Sequence, residues 1–228
     1  MIVATHQPIF FPWPGFFCKA LRAGTLVLLD EVQFPLGRGW MNRNRFKSDK
    51  GELWLTVPVW KKRRAMQRIG EVEICDETDW RRRHLMSLRQ QYVHAPYAAE
   101  HLPAIEAIYA AGHRRLLDLN LDVIRYLAAA LGVTTTIVLQ SQLRASGRGT
   151  ALLVALCRAL GADTYVTLAP AAKYLDRAQF DAAQVRLEVA RFAPPRYPQL
   201  WGEFRYNVSA LDLLLNCGPK AHDILARC

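Results

Sequence analysis

Several things are scarce in this 228-residue chain, and each scarcity excludes something. No stretch approaches the ~20 uninterrupted apolar residues that a membrane-spanning helix needs. The opening, MIVATHQPIFFPWPG, is apolar, but prolines and a glycine break it, and it lacks the basic lead and small-residue ending of a secretory signal. CxxC, CxxH and HExxH spacings are absent, so a structural zinc or iron–sulfur site is not expected. The five cysteines (Cys18, Cys75, Cys157, Cys217 and Cys228) are scattered and odd in number, which reads as reduced thiols in the cytoplasm. GxGxxG, GxxxxGK[ST] and GxSxG are also missing, which removes the motif-borne dinucleotide, P-loop and serine-hydrolase readings. No cofactor and no metal are expected.

Acidic residues are outnumbered, 20 Asp and Glu against 30 Lys and Arg, for a formal charge of +10. The excess is concentrated. Between Arg38 and Arg68 stand ten cations (Arg38, Arg43, Arg45, Lys47, Lys50, Lys61, Lys62, Arg63, Arg64 and Arg68) against Asp49 and Glu52, a net +8 in 31 residues. Arg81, Arg82, Arg83 and Arg89 follow. Such a field concentrates an anionic partner; a solvated basic face is the competing reading. No Pro/Gly/Ser-rich linker, low-complexity tract or internal repeat divides the chain, so residues 1–228 read as one domain.

The pattern alternates strand and helix. Residues 1–5 read as a buried strand, 16–22 as a short helix entered through Pro12-Trp13-Pro14-Gly15 and closed by a left-handed cap at Gly24, and 25–29 as a second apolar strand. That is the layout of a βαβ unit with a short crossover. Strands are expected at 53–59 and 69–75. A helix should start at Asp76-Glu77-Thr78-Asp79 and run to Tyr92, with Trp80, His84, Leu88 and Tyr92 on one stripe. Helices at 98–111 and 114–131, a strand at 134–139, a helix at 150–160 closed by Gly161, and strands at 164–168 and 185–189 follow. Two tail helices end the chain, at 208–215 (capped by Asn207) and 220–226. The expected class is α/β, a mixed and mainly parallel sheet flanked by helices, with a helical C-terminal part.

Candidate chemistry gathers in the first half. His6 and Gln7 lie beyond the carboxyl end of the first strand, where ligands bind in open α/β sheets. Asp30 and Gln33 lie beyond the second, and if the two strands pair in parallel they converge with His6. An imidazole beside carboxylates and amides suits general acid/base work; hydrogen bonding to the turn is the plainer role. Trp13 belongs to a rigid aromatic turn that walls a pocket or fills core. Lys19 is one helical turn beyond Gly15, within reach of an anion. In Trp40-Met41-Asn42-Arg43-Asn44-Arg45-Phe46-Lys47 an extended backbone turns Asn42 and Asn44 one way and Arg43, Arg45 and Lys47 the other. Arginine grips phosphate or carboxylate with two bonds, and Trp40 and Phe46 offer stacking faces. His84, on an apolar stripe, is either a core histidine or a second acid/base.

MIVATHQPIFFPWPGFFCKAL, LLDEVQF, GWMNRNRFKSDKGELWLTVPV, RRRHLMSLRQQY with APY after it, and YPQLWGEFRYNVSALDLLLNCGP together resemble the WbqC-like protein family, from residue 1 to about 219. Where that family tends to carry a glycine-containing segment, near Val166–Tyr174, this chain reads VTLAPAAKYLD. The resemblance implies bacterial biosynthesis of surface polysaccharides or natural products, in settings where some sugars bear amino-acid amides. Carried over by position, it marks His6, Gln7, Trp13, Gly15, Asp30, Gln33, Trp40, Asn42, Arg43, Asn44, Arg45, Lys47, His84, Tyr92, Tyr97, Tyr197, Gln199, Asn207 and Asp212.

The leading expectation is an enzyme that transfers an acyl or aminoacyl group to an amine. The donor would be anionic: aminoacyl-tRNA, or a thioester of coenzyme A or a carrier protein. His6 with Asp30, and His84, would be catalytic; Asn42 and Asn44 would hold acceptor or oxyanion. Tyr92 and Tyr97 complete the expected binding set. An ATP-dependent ligase or nucleotidyltransferase, and a non-catalytic RNA-binding module, are the alternatives.

Overall fold

A computed structural model describes every residue except 36, 38, 62, 63 and 65. Arg38, Lys62 and Arg63 of the basic count therefore lie outside the described residues. Strand β1 (Ile2–His6), helix α1 (Pro14–Leu21) and strand β2 (Thr25–Leu28) form the expected unit, and the strands pair in parallel with His6 opposite Leu28. Pro14 opens α1, where its fixed φ fits and its missing N–H costs nothing. Gly24 is not left-handed; Arg22 caps α1, and the Gly24 N–H bonds Ile2 O at 2.9 Å.

An antiparallel hairpin follows, β3 (Arg43–Ser48) and β4 (Gly51–Thr56), separate from the main sheet. The strand expected at 69–75 is instead a 3-10 turn at Ile69–Glu71 followed by two isolated bridges, Glu73 to Arg115 and Ile74 to Val59. Its residues are bound as single pairs because Arg115 and the loop after β4, not strands, lie beside them. Helices α2 (Trp80–Tyr92), α3 (Ala98–Ala110) and α4 (Leu116–Ala130) come next. The α2 stripe is as expected: Trp80, His84, Leu88 and Tyr92 are all buried. Then come β5 (Thr136–Leu139), α5 (Gly149–Ala159), β6 (Thr164–Leu168), α6 (Ala169–Ala172), α7 (Arg177–Ala182) and β7 (Arg186–Ala190). The tail holds α8 (Ala210–Cys217) and α9 (Ala221–Ala226). Ser209, not Asn207, caps α8: its side chain accepts from Leu211 N, while Asn207 sits at φ 55°.

All four pairings in the main sheet are parallel, in the order β5-β2-β1-β6-β7. Alternate residues face opposite layers. Val3, Val27, Tyr165 and Leu187 join a smaller core under α5 and α7, whereas Ala4, Leu26, Leu28 and Val166 join a larger one with α1, α4 and α8. The chain runs outward from β1 in both directions, so the winding reverses between β1 and β6. Open parallel sheets bind ligands beyond the carboxyl ends of the strands at such a reversal.

The reading of all cysteines as reduced thiols needs correction. Cys18 of α1 is bonded to Cys228, with Cα atoms 6.0 Å apart, leaving Cys75, Cys157 and Cys217 free. A separation of 210 residues hides such a pair from any spacing rule. No helix of the described residues is long and apolar enough to cross a membrane.

Candidate functional site

Beyond the carboxyl ends of β1, β6 and β7 lies a cavity of about 520 Å³, within the range of small-molecule sites. Trp13, Gly15 and Cys18 contribute from the start of α1, Trp40 and Arg45 from the ribbon, Leu168–Pro170 from the end of β6, Ala190–Pro195 from the end of β7, and Asn207 from the last loop. The wall is mostly apolar. Its cations are Arg45 and Arg191, and no Asp or Glu appears among the described residues lining it. Gly15 is required here, since a Cβ would meet the Trp13 indole at 2.9 Å.

His6 stands behind Trp13, half-buried, its ring edge-on to Trp13 (5.6 Å between centroids) and Phe16 (4.9 Å). Nδ1 meets Gln7 O at 2.8 Å, a contact that requires the proton on Nδ1 and leaves the Nε2 lone pair free. Burial first, then the charge of Lys19, lowers its pKa to about 3. Lys19 is buried, donates to Thr5 O at 2.6 Å, and has its own pKa lowered to about 7 by desolvation.

The groups after β2 do not turn toward His6, although the strands are parallel. Asp30 is buried and its Oδ1 accepts from Ser141 N at 3.0 Å, capping the turn after β5. Glu31 pairs with Arg68 at 3.2 Å, and Gln33 bridges to Arg68 through its backbone. His84 is a core histidine, enclosed by Phe10, Trp80 and Tyr109 and bonded to Tyr109 Oη at 3.2 Å; burial lowers its pKa to about 4.

The ribbon alternates as expected, but its two rows differ in availability. Asn42 is buried and donates to Val57 O at 2.8 Å. Asn44, fully buried, donates to Phe10 O at 3.0 Å and Phe11 O at 2.7 Å and accepts from Arg45 N at 2.8 Å. Its amide fixes the turn at Phe11, whose φ of 44° is left-handed. On the other row, Arg43 lies 4.0 Å from the Trp54 ring centroid, and Arg45 holds Glu52 at 2.9 Å and the carbonyls of Tyr206 and Asn207. Lys47 is the exception on that row: it is buried, and its amine donates to Glu203 O.

A second polar centre lies behind the ribbon. Asp212, fully buried, accepts from Tyr92 Oη and Tyr197 Oη at 2.8 Å each and from Gln199 Nε2 at 2.9 Å. Burial raises its pKa to about 6 despite those donors. Tyr92 Oη in turn accepts from Lys47 N at 3.1 Å. Through this network the segment carrying Tyr197 and Gln199 is fastened to the hairpin. Tyr97 does a different job: it is half-buried, and its ring lies over Gly218, where a Cβ would clash at 2.3 Å.

Of the residues singled out from the sequence, Trp13, Gly15, Trp40, Arg45 and Asn207 line the cavity, and His6 and Lys19 stand behind it. Gln7 serves His6, Asn42, Asn44 and Tyr92 hold the fold, and Asp30, Gln33 and His84 face elsewhere. Missed were the wall after β6 and β7 and Trp54. The proline-rich Ala190–Pro195, set directly after a strand, was the available signal. The basic field is also weaker than its count: Arg64, Arg81, Arg82 and Arg89 each sit in an ion pair. Among the described residues no three of His, Cys, Asp and Glu gather as a metal site.

Residues 7–224 match the family described as "WbqC-like protein family". A relative from Mycobacterium tuberculosis (strain ATCC 25618 / H37Rv), "Uncharacterized protein Rv1507c", is 35% identical over 228 residues, covering 99% of this chain and 98% of the relative. No solved structure matches.

Proposed function

The chain belongs to the WbqC-like protein family, and from that premise we propose that it is a biosynthetic enzyme transferring an acyl or aminoacyl group to an amine. One observation carries the reading: the cavity at the winding reversal has apolar walls, cations and no carboxylate among its described lining residues, and His6 stands half-buried behind its Trp13 wall. An acyl chain suits the apolar wall, and donor phosphates suit Arg191, with Arg45 beside it already holding Glu52. The amine nitrogen attacks the acyl carbon, and the bond from that carbon to the donor sulfur or oxygen breaks. The amine proton passes to Nε2 of His6 and on to the departing atom. The ring is neutral at physiological pH, so Nε2 is open to a proton, but its low pKa makes it a weak base that relays the proton rather than holds it. The donor, aminoacyl-tRNA or a thioester of coenzyme A or a carrier protein, and the cytoplasmic setting belong to the same proposal.

The test is mass spectrometry of an amino-sugar acceptor incubated with each donor. An amide product is expected, and it disappears in His6→Ala while the circular dichroism spectrum stays unchanged. Normal product formation by His6→Ala removes the base role. Because His6 is neutral well below pH 6, the rate should show no acid limb near pH 6.5.

The position of the cavity also favours a second reading, ATP-dependent ligation or nucleotidyl transfer, because doubly wound sheets hold nucleotides at the reversal. Acceptor-dependent release of pyrophosphate or ADP distinguishes it. A bare RNA-binding module is less well supported, since so many of the arginines are already paired.

A further inference from the structure

Three tryptophans far apart in sequence form one row. Trp13 and Trp40 both line the cavity and meet edge-on, centroids 5.9 Å apart at 65°, as two walls of a corner. Trp54 of β4 backs Trp40, stacked at 5.6 Å and 30°, and the Arg43 guanidinium lies over Trp54 at 4.0 Å. Trp40 and Trp54 remain 38% and 40% exposed, so this large aromatic area is held in water rather than used for core. Mutual stacking fixes the Trp40 plane, and a fixed plane binds a flat ligand with little loss of freedom.

We propose that this corner is a stacking platform for a nucleobase, and that the ligand of the cavity is a nucleotide whose phosphates lie toward Arg45 and Arg191. Two flat chemistries stack on tryptophan, a base and the apolar face of a sugar. A sugar needs carboxylates and amides around it to take up its hydroxyls. Here the polar groups of the described lining are two arginines and Asn207. Arg191 beside an indole, with the neighbouring Arg45 held by Glu52 and no carboxylate in the described lining itself, matches a base joined to phosphate. Arg43 adds positive charge behind the platform without occupying the cavity wall. The inference deepens the reading of the cleft as a donor site and rests on it. It names the feature the donors share, whether the nucleotide is free or terminates a strand.

Calorimetric titration with adenosine 5′-diphosphate tests it, and turnover does not enter. The wild type should bind, Trp40→Ala should weaken binding roughly 5- to 150-fold, the loss of one base–aromatic stack, and Trp40→Phe should recover part of it. Inorganic pyrophosphate, which has no base, should bind the wild type and Trp40→Ala alike. The exposed position of Trp40 lets the variants fold, which circular dichroism checks. A short single-stranded oligoadenylate is the second probe; whichever of it and adenosine 5′-diphosphate binds tighter identifies the source, provided that the binding falls in Trp40→Ala. Unchanged adenosine 5′-diphosphate affinity in Trp40→Ala overturns the platform. So does an amino sugar that the wild type binds and Trp40→Ala loses while diphosphate binding persists. Stacking without transfer would sink the reaction and leave the platform; transfer without stacking would do the reverse.

Discussion

Asn42, Asn44 and Phe46 point one way from the ribbon, and Arg43 and Arg45 the other. The inward row is buried and its amides are committed to backbone partners around Phe10, Phe11 and Val57. The outward row is half-exposed, with Arg43 lying on an exposed tryptophan and Arg45 at the cavity. Residues one step apart in a strand thus serve different ends, because successive side chains leave on opposite faces. A segment rich in Asn and Arg does not act as a unit; only its outward half is available to a ligand.

The contrast breaks first at Asn44. Asn44→Ala leaves two buried carbonyls and one N–H unpaired and should lower stability by about 3 kcal/mol or more, read by denaturant unfolding. A benign Asn44→Ala would mean the inward row is not a clamp. Asp212→Ala should cost about 2–3 kcal/mol by stranding Tyr92, Tyr197 and Gln199. Asp212→Asn adds a pH signature. The folded chain holds a proton on Asp212 between about pH 4 and 6 that the unfolded chain has released, so its contribution fades as pH rises through that window. The Asn variant should lack that slope in thermal melts.

Lys19 carries the opposite sign of test. Its folded pKa near 7 lies below the unfolded value, so between pH 7 and about 10 the unfolded chain binds the extra proton and stability rises with pH. The Tm of the wild type should therefore gain on that of Lys19→Met across this range; parallel curves would show that the amine is solvated. The smallest effect belongs to the outward row. Arg43→Gln should change stability by under ~1 kcal/mol, and a large loss there would erase the difference between the rows.

The sheet was readable because its strands are short apolar runs punctuated by glycine and helix caps, as in Thr25–Leu28 and Thr164–Leu168. The segment at 69–75 misled because β-branched residues fill a bridge as readily as a strand. For the site, periodicity foretold that Asn44 and Arg45 would separate, and adjacency to a strand end flagged His6. It gave no sign that Asp30 would turn to Ser141, since that depends on β5 lying beside β2, a pairing made over 111 positions. The tryptophan row was hidden for the same reason: Trp13, Trp40 and Trp54 meet only after the hairpin folds against the segment before α1.

The left-handed turn at Phe11 lies two residues before Trp13, and one amide holds it in place. A screen that scores variants by lost activity will therefore rank Asn44 beside the residues that touch ligand, for a purely mechanical reason: release the turn, and the indole at the mouth of the cavity swings with it. Sorting hinge pins from contact points in such a screen requires a folding readout run alongside, at every position of the hairpin.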